Sequence, residues 1–470
     1  MNYDLIVIGS GPGGYVAAIR ASQLGLKVGI VEKAELGGIC LNWGCIPTKA
    51  LLKSAQVFNY MKHAADYGIL LEGAAKPDFD AIVKRSRSIA ESMSKGIQYL
   101  FKKNKIEVIT GFGKIKSGKT VSVTDASGNK TEYTANHIII ATGTRSRELP
   151  NLKQDGKKII GYREAMTLPK LPTSMVVVGS GAIGVEFAQF YNSLGTKVTL
   201  IEVLPNVVPI EDEEVSKQLE RSFKKAGMRI MTDATVESVD TSGNLCKVFV
   251  KTNKAVPAGR QGGEIIEAEI VFSAVGITTN LEGIGLEDAG ILTENGKIIV
   301  DDFYKTNVEG YYAIGDIVHG PALAHVASRE GIICVEKITG HNPEPLDYGN
   351  IPGCTYTTPE IASVGMTEKQ AIEEGYEIKV GKFPFTASGK ASASGNKDGF
   401  VKVIFNAKNN EWLGAHLIGD NVTEMIAEVV VARKLGMKGK EIINIIHPHP
   451  TMSEAIMEAV AAAYNEVIHI

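Results

Sequence analysis

The chain has 470 residues, 44% of them hydrophobic and 22% charged, with a formal net charge of −3. That composition excludes a disordered chain, and the lack of a basic block excludes the electrostatic footprint of a nucleic-acid binder. Glycine is in excess, 50 of 470 residues against a typical share of about 7%; with no fixed period, this excludes collagen and assigns the surplus to turns and close backbone approaches.

At about 150 residues per domain the length suggests about three domains. The opening Met1-Asn2-Tyr3-Asp4 carries no basic segment or cleavage site, so it does not read as a signal peptide. No apolar run reaches the roughly 18 residues of a membrane span. A cytoplasmic protein is expected, or a mitochondrial matrix protein if the chain is a processed one. The five cysteines, Cys40, Cys45, Cys246, Cys334 and Cys354, are too sparse for a secreted disulfide scaffold.

Residues 4–33 read as a strand, a G-x-G-x-x-G turn, a helix and a second strand ending in an acid. Residues 174–203 repeat that pattern without a gap. Gly9, Gly11, Gly14 and Glu32 recur as Gly179, Gly181, Gly184 and Glu202, and each acid stands 23 residues after the first glycine (32 − 9 and 202 − 179). This is the dinucleotide fingerprint, present twice. The first glycine makes the tight turn, the second admits a pyrophosphate, the third packs helix on strand, and the carboxylate accepts from ribose hydroxyls. Glu202 is followed by Val203 and has no nearby Arg, which favours NAD over NADP at the second copy.

Between the copies, Cys40 and Cys45 stand five positions apart. That spacing is not the usual zinc half-site, and a redox or metal-binding pair is expected rather than a structural one. Pro47 suits a first helical turn, which places Cys45 just before a helix N-terminus whose dipole favours a thiolate, with Lys49 one turn in. The run His137 to Gly143, with Thr142, ends a strand in glycine, as does Ile270 to Gly276. A third run, Gly310 to Asp316, ends in an acid that either meets a sugar-like hydroxyl chain or caps a turn. Residues 246–253 and 264–272 alternate as strands around a glycine-rich hairpin loop, 254–263. Beyond residue 382 short strands and helices over 421–435 and 453–464 predict a separate α+β unit. Its end carries His447-Pro448-His449-Pro450-Thr451-Met452-Ser453-Glu454. Thr451 or Ser453 is expected to cap the last helix. The histidines read either as a general base oriented by Glu454 or as a solvent-facing turn.

These motifs together resemble the flavin disulfide reductases, the pyridine nucleotide-disulfide oxidoreductases, over nearly the whole length. The resemblance rests on both glycine fingerprints with Glu32 and Glu202, GGICLNWGCIPTKALL, ATG, GYYAIGD, YTTPEIASVG and HPHPTMSE. It implies an α/β fold of two Rossmann-like dinucleotide-binding domains plus a C-terminal α+β dimerisation domain. The boundaries are 1–149 with 277–346 for FAD, 150–276 for NAD, and 347–470 for the interface. It implies tight non-covalent FAD at Gly9, Gly11, Gly14, Glu32, Lys49, Gly113, Thr142, Gly143, Asp316, Ala322, Leu323, Ala324 and His325. It implies NAD+/NADH at Gly179, Gly181, Gly184, Glu186, Glu202, Val236 and Gly276, and no metal.

The resemblance further implies a Cys40–Cys45 redox disulfide, with Cys40 exchanging with substrate and Cys45 facing the flavin. Lys49 pairs with Glu186, and His449, held by Glu454, is the acid/base. The activity implied is NAD-dependent oxidation of protein-bound dihydrolipoamide to lipoamide within 2-oxo acid dehydrogenase or glycine cleavage complexes. The implied partners are the lipoyl domain of a dihydrolipoyl acyltransferase core or the glycine cleavage H protein, and a second copy of the chain, with no nucleic acid and no membrane. A glutathione reductase-like activity is the alternative; Glu202-Val203, and Ile19 before Arg20, speak against it. The His449–Pro450 bond is expected to be cis, and each active site is expected to draw on two chains. Cys246, Cys334 and Cys354 are expected to be packing residues.

Overall fold

The structure, a computed structural model, describes residues 2–252 and 263–470. They form two compact units. One comprises the chain through Leu51, Asp78–Arg147 and Gly276–Leu346; the other comprises Leu52–Pro77, Glu148–Val275 and Asp347–Ile470. Apart from Gly263, the loop expected at 254–263 lies outside the described residues.

The first unit is built on the strand Asn2–Ile8. Its run of Leu5, Ile6 and Val7 is fully buried, as a parallel strand covered on both faces requires. It pairs in parallel with Val28–Glu32 and with Lys130–Ile140. Glu107–Thr110 lies beyond Val28–Glu32, and Thr120–Thr124 and Phe112–Lys116 extend the other side antiparallel. Tyr311–Ala313 adds in parallel to Lys130–Ile140. The helix Pro12–Gln23 starts with Pro in its first turn and packs on the helix Ala324–Ile338 through small residues. A Cβ at Gly331 would lie 2.8 Å from the Gly13 carbonyl oxygen, so only glycine permits this approach. Arg20 and Glu336 close the contact at 2.7 Å. Nearer the start of Ala324–Ile338, Ser328 Oγ donates to Pro12 O at 3.4 Å, beside the first glycine turn.

The second unit repeats the motif. Its parallel sheet runs Arg229–Met231, Lys197–Ile201, Ser174–Val178, Ile270–Ser273, Ile159–Ile160. An antiparallel trio follows, Ala234–Asp240, Cys246–Thr252 and Gly263–Ala268. A five-stranded antiparallel sheet ends the chain, in the order Gly353–Thr355, Glu360–Gly365, Trp412–Gly419, Phe400–Asn406, Ile378–Pro384. The helices Val422–Lys434 and Glu454–Ala463 bury apolar residues on it. The second approaches Ile378–Pro384 so closely that a Cβ at Gly381 would lie 1.9 Å from the Ala459 carbonyl oxygen.

The second unit also holds a buried ion cluster. Asp212 caps the helix Glu213–Lys225 by accepting from Glu214 N. The Lys402 ammonium, with a side chain 2% exposed, sits 2.9 Å from Asp212 Oδ1, 3.0 Å from Glu214 Oε2 and 2.7 Å from Glu368 Oε2. Burial pushes the Asp212 carboxyl up, but Lys402 outweighs it and holds the group below its ordinary value. Next to it Glu211 is pushed up to about 7, by burial first and by the Asp212 charge, against a hydrogen bond from Ser363. Its Oε2 has no hydrogen-bond partner among the described residues. A carboxyl raised in the fold contributes stability that is complete below its ordinary value of 4.5 and is lost as pH rises through about 7. Glu211→Gln is therefore expected to leave the thermal unfolding midpoint close to wild type at pH 5 and to raise it at pH 8. Equal shifts at both pH values would show that Glu211 does not titrate in this way.

Candidate active site

The two glycine turns share one geometry. Gly9 has φ +102° and Gly179 φ +97°, and a Cβ there would lie 2.2 Å from the Ala141 oxygen and 2.4 Å from the Ala274 oxygen. A Cβ at Gly14 or Gly184 would lie 1.9 or 2.0 Å from the carbonyl oxygen of Gly9 or Gly179. A Cβ at Gly11 or Gly181 would instead meet nothing within 4 Å. Each of these two caps its helix with no side-chain hydrogen bond. Both turns thus present an open cradle at a helix N-terminus, which is what a dinucleotide pyrophosphate needs.

The acids behind the turns are held alike. Glu32 Oε2 accepts from Ser10 N at 2.9 Å and Ser10 Oγ at 2.6 Å, and its Oε1 from Lys33 N and Ala34 N. Glu202 Oε2 accepts from Ser180 N at 2.8 Å and Ser180 Oγ at 2.7 Å, and its Oε1 from Leu204 N.

Every residue expected to hold FAD falls in the first unit. Thr142 Oγ1 donates to Asn280 O, and Gly143 follows with φ +64°. Asp316, in the 3₁₀ turn Gly315–Ile317, accepts from Thr144 Oγ1 at 2.7 Å. This joins the GYYAIGD end to the ATG end. Gly113 is a strand residue with the Val31 and Ile8 side chains 3.1 and 3.2 Å from where its Cβ would be. Leu323 caps the helix that begins at Ala324 and contains His325, and Ala322 immediately precedes that cap. Of the residues expected to hold NAD, Val236 is buried and its carbonyl accepts from Asn151 Nδ2, while Gly276, φ +108°, opens a segment of the first unit rather than closing the second.

The cysteines sit on two consecutive helices. Gly37, left-handed at φ 93°, starts the short helix Gly38–Asn42 that carries Cys40. Its N–H donates to Ser10 Oγ at 3.2 Å. The next helix runs Cys45–Lys62. Cys45 is thus its first residue, one position further in than expected, because Thr48 N already bonds to Gly44 O at 3.1 Å. Cys40 and Cys45 are both free thiols in this structure and are hydrogen-bonded to each other. That bond first, and burial second, drive the Cys40 thiol far up, with Lys49 acting the other way. The loop is pinned from outside: Arg87 donates to Asn42 O at 2.5 Å and lies over the Trp43 ring, and Ser86 Oγ donates to Pro47 O at 2.9 Å. Sequence reasoning missed both, since nothing local marks residues some 40 positions away.

At the other end of the chain the His449–Pro450 bond is cis, as expected, and so is Thr358–Pro359. His449 Nδ1 is 2.8 Å from Glu454 Oε1. With the Nδ1 proton directed at that carboxylate, Nε2 is the basic nitrogen. Glu454 also accepts from Thr451 N at 2.7 Å. Burial pushes its carboxyl up, but the Thr451 N–H and the imidazole bring it below the usual range. The expected side-chain cap is not formed: Thr451 Oγ1 turns back to Pro448 O, and Ser453, at the N-cap, makes no side-chain cap hydrogen bond among the described residues. Glu454 is occupied with the histidine and the turn instead. The two histidines separate clearly. His449 is 78% exposed, whereas His447 is 6% exposed and bonded to Glu428 at 2.7 Å. Glu186 is buried, with Oε1 accepting from Tyr356 N at 2.9 Å. Lys49 and Cys40 belong to one unit, Glu186 and His449 to the other. Cys246 and Cys334 are buried and Cys354 is half-buried.

Comparison with known proteins completes the description. The family model described as pyridine nucleotide-disulphide oxidoreductase matches residues 3–331, and that of the same family's dimerisation domain matches residues 351–460. The chain is 48% identical to a dihydrolipoyl dehydrogenase of Rhizobium etli, covering 100% of this chain and 99% of that protein. It is 47% identical to one of Zymomonas mobilis with the same coverage. Among solved structures it is similar to LpdA from Mycobacterium tuberculosis, at TM-score 0.88 and 27% identity over 97% of this chain and 98% of that one. Among the described residues no helix is long and apolar enough to cross a membrane.

Proposed function

Because the chain belongs to the pyridine nucleotide-disulphide oxidoreductase family, we propose that it is an NAD-dependent dihydrolipoyl dehydrogenase. The observation that carries this reading is the Cys40–Cys45 pair, two hydrogen-bonded sulfurs pinned one turn away from a dinucleotide-binding glycine turn. Full-length identity of 48% to a dihydrolipoyl dehydrogenase supports the choice of substrate. Glu202 supports NAD, since its carboxylate would accept from a 2′-hydroxyl and would repel a 2′-phosphate.

The residues act in order. In the oxidised enzyme Cys40 and Cys45 form a disulfide. His449 Nε2 takes the proton of one substrate thiol. The resulting thiolate attacks Cys40 Sγ, the intramolecular disulfide breaks, and Cys45 leaves as a thiolate at a helix N-terminus that favours its charge. The second substrate thiol attacks the mixed disulfide and passes its proton to the departing Cys40 sulfur, releasing the oxidised lipoyl group and leaving Cys40 as a thiol. FAD would be held by Gly9, Gly11, Gly14, Glu32 and Asp316 and, when bound, would supply the route by which the electron pair reaches NAD+. Lys49, one turn into the helix that Cys45 opens, would place a cation beside that route. The working division is an FAD domain of 1–149 and 277–346, an NAD domain of 150–276 and an interface domain of 347–470. The base and the disulfide of one site come from two copies of the chain. The partner that delivers the dithiol is a lipoyl-bearing domain, of an acyltransferase core or of a glycine cleavage H protein.

The direct test is turnover of dihydrolipoamide with NAD+ against turnover of glutathione disulfide with NADPH. The first should dominate, and dominance of the second would replace this reading with the glutathione reductase-like one. Thiol counting tests the disulfide. Of five cysteines, the denatured oxidised protein should titrate three (5 − 2), and the protein reduced with dihydrolipoamide all five. Cys45→Ser should titrate four in both states. Five thiols in the air-oxidised wild type would remove the disulfide from the scheme.

A further inference from the structure

Ser10 and Ser180 occupy the same place in the two glycine turns, and neither is exposed to solvent. Each brings two donors, its own N–H and its hydroxyl, to the same oxygen of an acid 22 residues on. The second oxygen is then oriented by backbone N–H groups after the strand, from Lys33 and Ala34 in one copy and Leu204 in the other. A free glutamate side chain has several rotamers and loses that freedom when it binds a ligand. Here the freedom is already gone, and hydrogen bonds to a charged acceptor are among the stronger ones.

We propose that Ser10 and Ser180 are positioning residues that fix the ribose-binding carboxylates of Glu32 and Glu202 before the dinucleotide arrives. Resting on the proposed assignment of the two turns to FAD and NAD, this makes each serine a selective determinant of one ligand. It also sharpens the choice of NAD, because a carboxylate that cannot rotate away meets a 2′-phosphate head on. The contribution is preorganisation, so it is read as affinity and not as chemistry.

The holoenzyme supports a test with two readouts besides turnover: NADH and NADPH dissociation constants from quenching of protein fluorescence, and the FAD-to-protein absorbance ratio after dialysis. Ser180→Ala should weaken NADH binding about tenfold, which is 1.4 kcal/mol, leave NADPH binding no weaker than in wild type or strengthen it, and retain FAD. Ser10→Ala should lose FAD on dialysis while its FAD-loaded fraction binds NADH as wild type does. Because Ser180 acts through Glu202, Ser180→Ala should add nothing in a Glu202→Ala background. Ser180→Gly, which also lacks the hydroxyl, gives the same cycle should the alanine variant not fold. The proposal is overturned if Ser180→Ala binds NADH within twofold of wild type, if its effect is additive to that of Glu202→Ala, or if either serine variant loses both ligands alike. A wild type that binds NADH but does not oxidise dihydrolipoamide would remove the functional reading and leave this one standing.

Discussion

His449→Ala is expected to lower kcat/KM for dihydrolipoamide by roughly 10²–10⁴-fold, the contribution of a positioned general base, with the NADH dissociation constant unchanged. Glu454→Gln should lose less. The imidazole keeps a partner at Nδ1 but no longer has a carboxylate 2.8 Å away to stabilise its protonated form. Steady-state kinetics on the two variants decide the matter. A loss below tenfold for His449→Ala would transfer the role of base to another group, and His447, sequestered on Glu428, is not placed to take it. Mixed dimers of Cys45→Ser and His449→Ala chains extend the test. Each homodimer should be nearly inactive, and the heterodimer should regain one working site.

Lys402→Met is expected to cost about 3–5 kcal/mol of stability, because it strips a buried carboxylate of its cation. Glu214 and Glu368 are 44% and 39% exposed and can turn to water, but Asp212 is 3% exposed and cannot. Pairing the change with Asp212→Asn should therefore recover most of the loss, a coupling that denaturant titration of the two single variants and the double variant measures. A cost below about 1 kcal/mol for Lys402→Met, typical of surface pairs, would show that the cluster is hydrated. Lys402 and Asp212 are 190 residues apart, so nothing in the local sequence announced the pair.

The parts of the molecule legible in the sequence are those whose physics is local. Gly14 is required by the Gly9 carbonyl oxygen, 1.9 Å from where its Cβ would lie in the same βα turn, and Gly9 by its own left-handed φ of +102°, and both demands are written as a motif. The repeat at Gly179 and Gly184 doubled the signal. Glu454 lies five residues from His449, so their hydrogen bond could be anticipated from spacing. What escaped notice was of two kinds. Ser10 and Ser180 were in plain view inside the motif but carry a residue type that usually means only a turn. Arg87, Ser86 and Glu428 act on residues 19 to 45 positions away, at separations set by how helices pack rather than by periodicity. The helix cap went astray for a related reason. Thr451 and Ser453 are good capping residues by type, yet the Glu454 carboxylate binds Thr451 N and His449 at once.

Gly381 has a bearing on how loss-of-activity alleles of such a chain are interpreted. The residue holds no reacting group and lies on an edge strand, yet the helix Glu454–Ala463 rests on it with no room for a methyl group. Ala459 is five residues along that helix from Glu454, about 7.5 Å at 1.5 Å per residue. A side chain at 381 would lift the far half of a stiff rod and swing its other end, which carries the acid that aims His449. Such an allele would keep its thiols, its base and both glycine turns. Its lesion would nonetheless look chemical in an assay, and a survey confined to residues that touch substrate would miss its origin.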